Sequence, residues 1–146
     1  MFKLKFVSNE KFSTERNEKV ALGKIALADF SENFESSLSF WKIEDYENQW
    51  IEAAKRITEY DRTIFITNLD NPKTSNFIIW WKAWKIEEEI FVQNQLLFLN
   101  QLSDSFDVKN PYKFVGNRTI KTEDGSHISE WKISLEDIQN FLKANE

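Results

Sequence analysis

The chain has 146 residues, a length that fits one domain, and its 41% hydrophobic and 15% aromatic content supports a packed core rather than disorder. Its 24 acidic residues outnumber 19 Lys and Arg, and the net charge of -5 argues against general nucleic-acid binding while suiting a basic partner. The absence of Cys excludes disulfides and thiolate metal sites. No apolar run approaches the ~20 residues of a membrane span, so a cytoplasmic protein is expected.

Phe2 to Val7 alternates bulky apolar residues with Lys, the period of two of a half-buried strand, and lacks the following apolar stretch of a signal peptide. Ser8 to Lys19 is polar and reads as a loop or a short helix, and Val20 to Leu27 as a second, weaker strand. From about Glu44 to Tyr60, residues Tyr46, Trp50, Ala53, Ala54 and Ile57 recur at spacings of three and four, which predicts a helix. Glu44, Asp45, Asn48, Glu52 and Lys55 then face outward, with acids in the first turn suiting the positive end of the helix dipole.

Thr63 to Leu69, Phe77 to Ile86 and Ile90 to Leu99 read as three strands of an antiparallel meander, joined by Asp70 to Ser75 and by Glu87-Glu88-Glu89. The middle strand is apolar on both faces, which makes it central and places Trp80, Trp81 and Trp84 in the core. Gln93-Asn94-Gln95 puts three amides into an apolar strand, where they either tie the sheet to a loop or face a groove. Ser103 to Gly125 is an irregular connection in which Tyr112 to Val115 reads as a short strand. Ser129 to Ser134 is a strand, followed by a helix over Leu135 to Ala144 with Ser134 as N-cap and Asp137 three positions on. The expected fold is α+β, one domain over residues 1-146, with a single antiparallel sheet and helices packed on it.

Catalytic parts are scarce. His127 is the only histidine and reads as an exposed loop residue, and Gly23, Gly116 and Gly125 are too scattered for a phosphate-binding loop. Asp104, Asp107 and Asn110 lack the glycine of a calcium loop. No catalytic residue, metal ligand or cofactor is therefore assigned, and binding is expected in place of catalysis. A carboxylate-dependent hydrolase and a partnerless adaptor are the competing readings.

Charge placement is more informative. Between Asp29 and Glu52 seven acids, Asp29, Glu32, Glu35, Glu44, Asp45, Glu47 and Glu52, stand against the single Lys42, a local charge of -6 that leaves the rest of the chain at +1. Such a segment can steer a basic partner, although on the residues alone a solvated face is the readier reading.

Several segments together resemble a known family. They are Ala28 to Leu38 with Trp41, Asp45-Tyr46 and Gln49-Trp50, then Asn76 to Trp81, Val92 to Leu99 and Ile128 to Ser134. In these the chain resembles immunity proteins of bacterial contact-dependent growth inhibition systems, from about Gly23 to Phe141. The resemblance implies a protein that binds and neutralises the C-terminal toxin domain of a cognate delivered protein, commonly a nuclease, with an RNase or tRNase the first choice. Basic toxin surfaces would then meet Asp29, Glu32, Glu35, Glu44, Asp45, Asn48 and Glu52. The chain itself is expected to be a monomer that binds neither nucleic acid nor membrane.

Overall fold

A computed structural model describes residues 1-146. Its N-terminal part holds β1 (Phe2–Phe6), β2 (Lys11–Ser13), β3 (Glu18–Leu27) and β4 (Phe30–Ser37). Helix α1 (Ile43–Glu59) leads into β5 (Arg62–Asn68), β6 (Phe77–Ile86) and β7 (Glu89–Phe98). After a long connection come β8 (Trp131–Ser134) and α2 (Leu135–Ala144).

The expected single sheet is corrected to two antiparallel sheets of four strands. In the first, β3 pairs with β1 and β2 along one edge and with β4 along the other; the second runs β5-β6-β7-β8. The error lies in β4 and β2. Phe-Ser-Glu-Asn-Phe-Glu-Ser-Ser carries little intrinsic strand preference and only two bulky residues, so nothing local marks it as a strand. Its conformation comes from the β3 ladder, reached through a two-residue turn in which Ala28 takes a φ of 55°.

Gly23 lies mid-ladder opposite both Phe6 and Phe34, and a Cβ there would run into the Phe34 ring. The two phenylalanines flank it at a centroid distance of 6.2 Å and continue onto Trp50 of α1. Glycine is what lets these aromatic residues converge on the helix.

The meander is as expected, with β6 interior and Trp80, Trp81 and Trp84 buried. On one face Phe65 packs against Phe2, and Trp81 against Trp131, which in turn stacks on Phe30, so both sheets share one cluster of 25 buried residues. The connection covers the other face: the Trp84 indole N–H donates to the Gly116 carbonyl at 2.9 Å. Tyr112 to Val115, expected as a strand, is corrected to a 3₁₀ turn over Pro111–Phe114, since a proline at its start lacks the N–H that ladder pairing requires.

Helix α2 begins as expected. Ser134 Oγ accepts the Asp137 N–H and Asp137 Oδ2 accepts the Ser134 N–H, at 3.0 and 2.9 Å, while Ile138 and Phe141 are buried.

Helix α1 does more than cover the core. Bonding alternates along an antiparallel strand, and the 2.8 Å bond from the Lys85 N–H to the Asp61 carbonyl sets the phase, so Ile64 and Ile66 turn their polar groups away from β6. Side chains of α1 meet them. Gln49 donates to the Ile64 carbonyl at 2.9 Å and accepts from the Ile66 N–H at 2.8 Å, as a neighbouring strand would. The Trp50 indole donates to the Ile66 carbonyl at 2.7 Å, and the Leu69 N–H donates to the Tyr46 hydroxyl at 3.0 Å.

Candidate protein-binding surface

The outward face of α1 is set by what its inward face must do. With Tyr46, Gln49, Trp50, Ala53, Ala54 and Ile57 buried, the 3.6-residue period leaves Glu44, Asp45, Glu47, Asn48 and Glu52 exposed. Lys42 at the N-cap has no side-chain acceptor, so only the return half of a capping arrangement forms, with Asp45 Oδ2 accepting the Lys42 N–H at 2.9 Å. Asp45 is thus both a surface charge and a structural cap.

Asp45, Asn48 and Glu52 share one shallow depression with Phe40, Trp41, Gln49, Val108 and Lys109. Its far wall belongs to the long connection, held by Tyr112. The Gln49 amide donates to the Tyr112 hydroxyl at 3.3 Å, and the Arg56 guanidinium lies 4.2 Å from the Tyr112 ring and 5.1 Å from that of Tyr60. Burial pushes the Tyr112 phenol up to about 12, so it stays neutral across the physiological range.

The other acids of the segment lie elsewhere. Glu44 borders a separate hollow with Glu10 and Lys42. Glu35 shares Arg16 with Glu18, at 3.2 and 3.0 Å. Glu32 is exposed midway along β4, and Asp29 sits at the β3–β4 turn beside Lys3, Lys5 and Lys24. An extended strand rises about 3.3 Å per residue, so Asp29 and the end of β4 at Ser37 are roughly 26 Å apart. The acidic segment is one stretch of sequence but not one patch of surface.

Sequence reasoning missed the basic ground around Asp29. Lys5 and Lys24 are direct partners across β1 and β3, and Lys3 follows on the same face two residues before Lys5. The alternation of β1 carried that signal, although the partner strand had to be known before the three lysines could be placed together.

Of the β7 amides, Gln93 does what the loop reading expected, Gln95 bonds only to Gln93, and Asn94 is exposed. Gln93 donates to the Thr119 carbonyl and to Glu130, each at 2.8 Å, and Gln95 donates to Gln93 at 3.2 Å. Arg118 holds Glu130 in two bonds of 2.9 and 2.6 Å, and its guanidinium keeps that carboxyl below the usual range against the opposing effect of burial. His127 is exposed in a short hairpin opposite Lys121. No helix is long and apolar enough to cross a membrane.

The comparisons agree with this architecture. Residues 36–141 match the model of the CdiI N-terminal domain, a span that includes Glu44, Asp45, Asn48 and Glu52 and excludes Asp29, Glu32 and all but the end of β4. The immunity protein CdiI of Enterobacter cloacae subsp. cloacae is 31% identical over 140 residues, covering 95% of each chain. A chain in the CdiA-CT/CdiI toxin and immunity complex from Enterobacter cloacae superposes with a TM-score of 0.88 at 28% identity, over 99% of this chain and 97% of that one. On the family match and the relative alike, the chain belongs to the CdiI family of immunity proteins, which are binding proteins and not enzymes.

Proposed function

We propose that this chain binds the C-terminal toxin domain of a cognate contact-dependent growth inhibition exoprotein and neutralises it in the cytoplasm. The observation that carries the reading is the near-complete structural match to a chain solved in a complex of toxin and immunity protein. The toxin is a nuclease, most suitably an RNase or tRNase, because a protein that handles phosphates presents the basic surface that exposed carboxylates attract. Inhibition is by occlusion: the partner's Lys and Arg engage Asp45, Asn48 and Glu52 along the α1 depression, with Glu44 beside it, and the nucleic acid is shut out. Asp29, Glu32 and Glu35 stand apart from this depression and add to the contact only at separate points of the surface.

The first test is co-expression with the C-terminal toxin domain of the cognate exoprotein. Co-purification and restored growth are expected; a toxin that neither co-purifies nor is neutralised overturns the reading. The second concerns the surface. Reversing Glu44 and Glu52 to Lys together with Asn48→Lys is expected to slow association about tenfold at low salt and flatten its salt dependence. Unchanged association kinetics would move the interface off α1. Asp45 is left intact, because its bond to the Lys42 N–H would confound binding with stability.

A further inference from the structure

The β7 edge is only half covered. Strand β8 pairs with Glu89 to Val92 and stops there, where Glu130 is drawn aside by Arg118 and Gln93. Bonding phase along β7 is set by the Leu99 N–H to Asn76 carbonyl bond at 3.0 Å and the Leu135 N–H to Glu88 carbonyl bond at 2.8 Å. Both place the even-numbered residues outward, so Asn94, Leu96 and Phe98 present their N–H groups, and Asn94 and Leu96 their carbonyls, to a side with no strand. Their side chains share a face with Phe77 and Ile79, and Phe77, Leu96 and Phe98 are 40%, 48% and 43% exposed.

We propose that a second copy of this chain covers this edge, laying its own Asn94 to Phe98 antiparallel to the first about a two-fold axis near Leu96. Unpaired backbone N–H and C=O groups in a row are satisfied by another extended strand, and an edge that carries three outward N–H groups centred on Leu96 is complementary to itself under two-fold rotation. The apolar residues then meet their counterparts, Leu96 against Leu96 and Phe98 against Asn94.

Charge selects the same occupant. From Ile90 to Ser103 the chain has no charged residue, so two molecules of net charge -5 can approach here without opposing like charges. A basic partner gains nothing from this neutral edge, whereas the α1 depression offers it carboxylates. That depression lies beyond β5, at the other edge of the same sheet, so pairing through β7 leaves it open. The assembly expected with toxin present therefore contains two copies of each chain.

The full chain is to be examined by sedimentation equilibrium over a wide concentration range, with amide exchange at Asn94, Leu96 and Phe98 followed in parallel. The expected result is a reversible dimer of the 17.4 kDa chain, with those three amides protected at high concentration and released on dilution. Leu96→Lys opposes two lysines across the axis and raises the dissociation constant at least about a hundredfold. Leu96→Pro removes one outward N–H and no bond to β6, and weakens the dimer likewise. A wild-type chain that stays monomeric throughout, or a dimer that persists in a folded Leu96 variant, overturns the proposal. If a variant does not fold, exchange in the wild type decides: amides that stay unprotected in the dimer place its interface elsewhere. A toxin domain that dissolves the dimer while protecting the same amides also overturns it, by showing that the toxin is the occupant.

Discussion

At one edge of the second sheet, the outward polar groups of Ile64 and Ile66 are met by Gln49 and Trp50 of α1. At the other, those of Asn94 and Leu96 meet no strand once β8 turns away at Glu130. The chemistry exposed is the same in both places, a row of backbone donors and acceptors that pairs with any extended chain. The first edge is closed by side chains acting as a substitute strand, and the second carries apolar residues and no charge, the opposite of a guarded edge. Closure thus belongs to the fold, and openness leaves a surface for association.

Disrupting the closed edge is expected to have the largest effect. Trp50→Ala removes a fully buried indole, its contacts with Phe6 and Phe34 and its bond to Ile66, and should cost about 3-5 kcal/mol in urea unfolding. Gln49→Leu keeps the bulk and isolates the substitute-strand bonds. It should cost about 1-3 kcal/mol for each of the Ile64 carbonyl and Ile66 N–H left without a partner. If Gln49→Leu proves neutral, the helix covers the edge by packing alone.

A smaller effect is expected where β8 stops. Arg118 lowers the Glu130 carboxyl from its ordinary 4.5, so this pair's contribution to stability is present above that value and is lost as the pH falls below it. Glu130→Gln should therefore destabilise modestly at pH 7 and flatten the acid limb of the stability profile, as read by thermal unfolding from pH 3 to 7 (roughly the carboxylate range). An unchanged acid limb would assign it to other carboxylates. The smallest effect belongs to the open edge, where Leu96→Thr should change the stability of the dilute chain by no more than about 0.5 kcal/mol. A loss comparable to that of Gln49→Leu would show that the edge is already closed within one molecule.

Much of this architecture was legible in the sequence where a residue's burial follows from its own neighbours. Tyr46, Trp50, Ala53 and Ile57 marked α1, and Phe77 to Trp84 marked an interior strand, because one apolar period sufficed. Strand β4 was hidden, since Glu32, Asn33 and Glu35 are held extended by pairing with Ile25, Lys24 and Leu22, which its own sequence does not specify. The site was half legible for the same reason. The outward positions of Asp45, Asn48 and Glu52 follow from helical spacing, whereas Lys109 reaches them only because Tyr112 anchors a distant loop on Gln49. Adjacency in sequence likewise suggested one acidic patch, which the length of β4 pulls apart.

The substitute strand on β5 also has a consequence for the order of assembly. Its bonds join residues only 15 to 17 positions apart, whereas the Gln93 to Glu130 bond spans 37. As the chain leaves the ribosome, α1 and β5 can seal their edge before β6 and β7 have emerged, and the growing sheet then has one direction in which to add strands. Short sequence separation thus favours closing the β5 edge early and leaves the β7 edge to longer-range contacts.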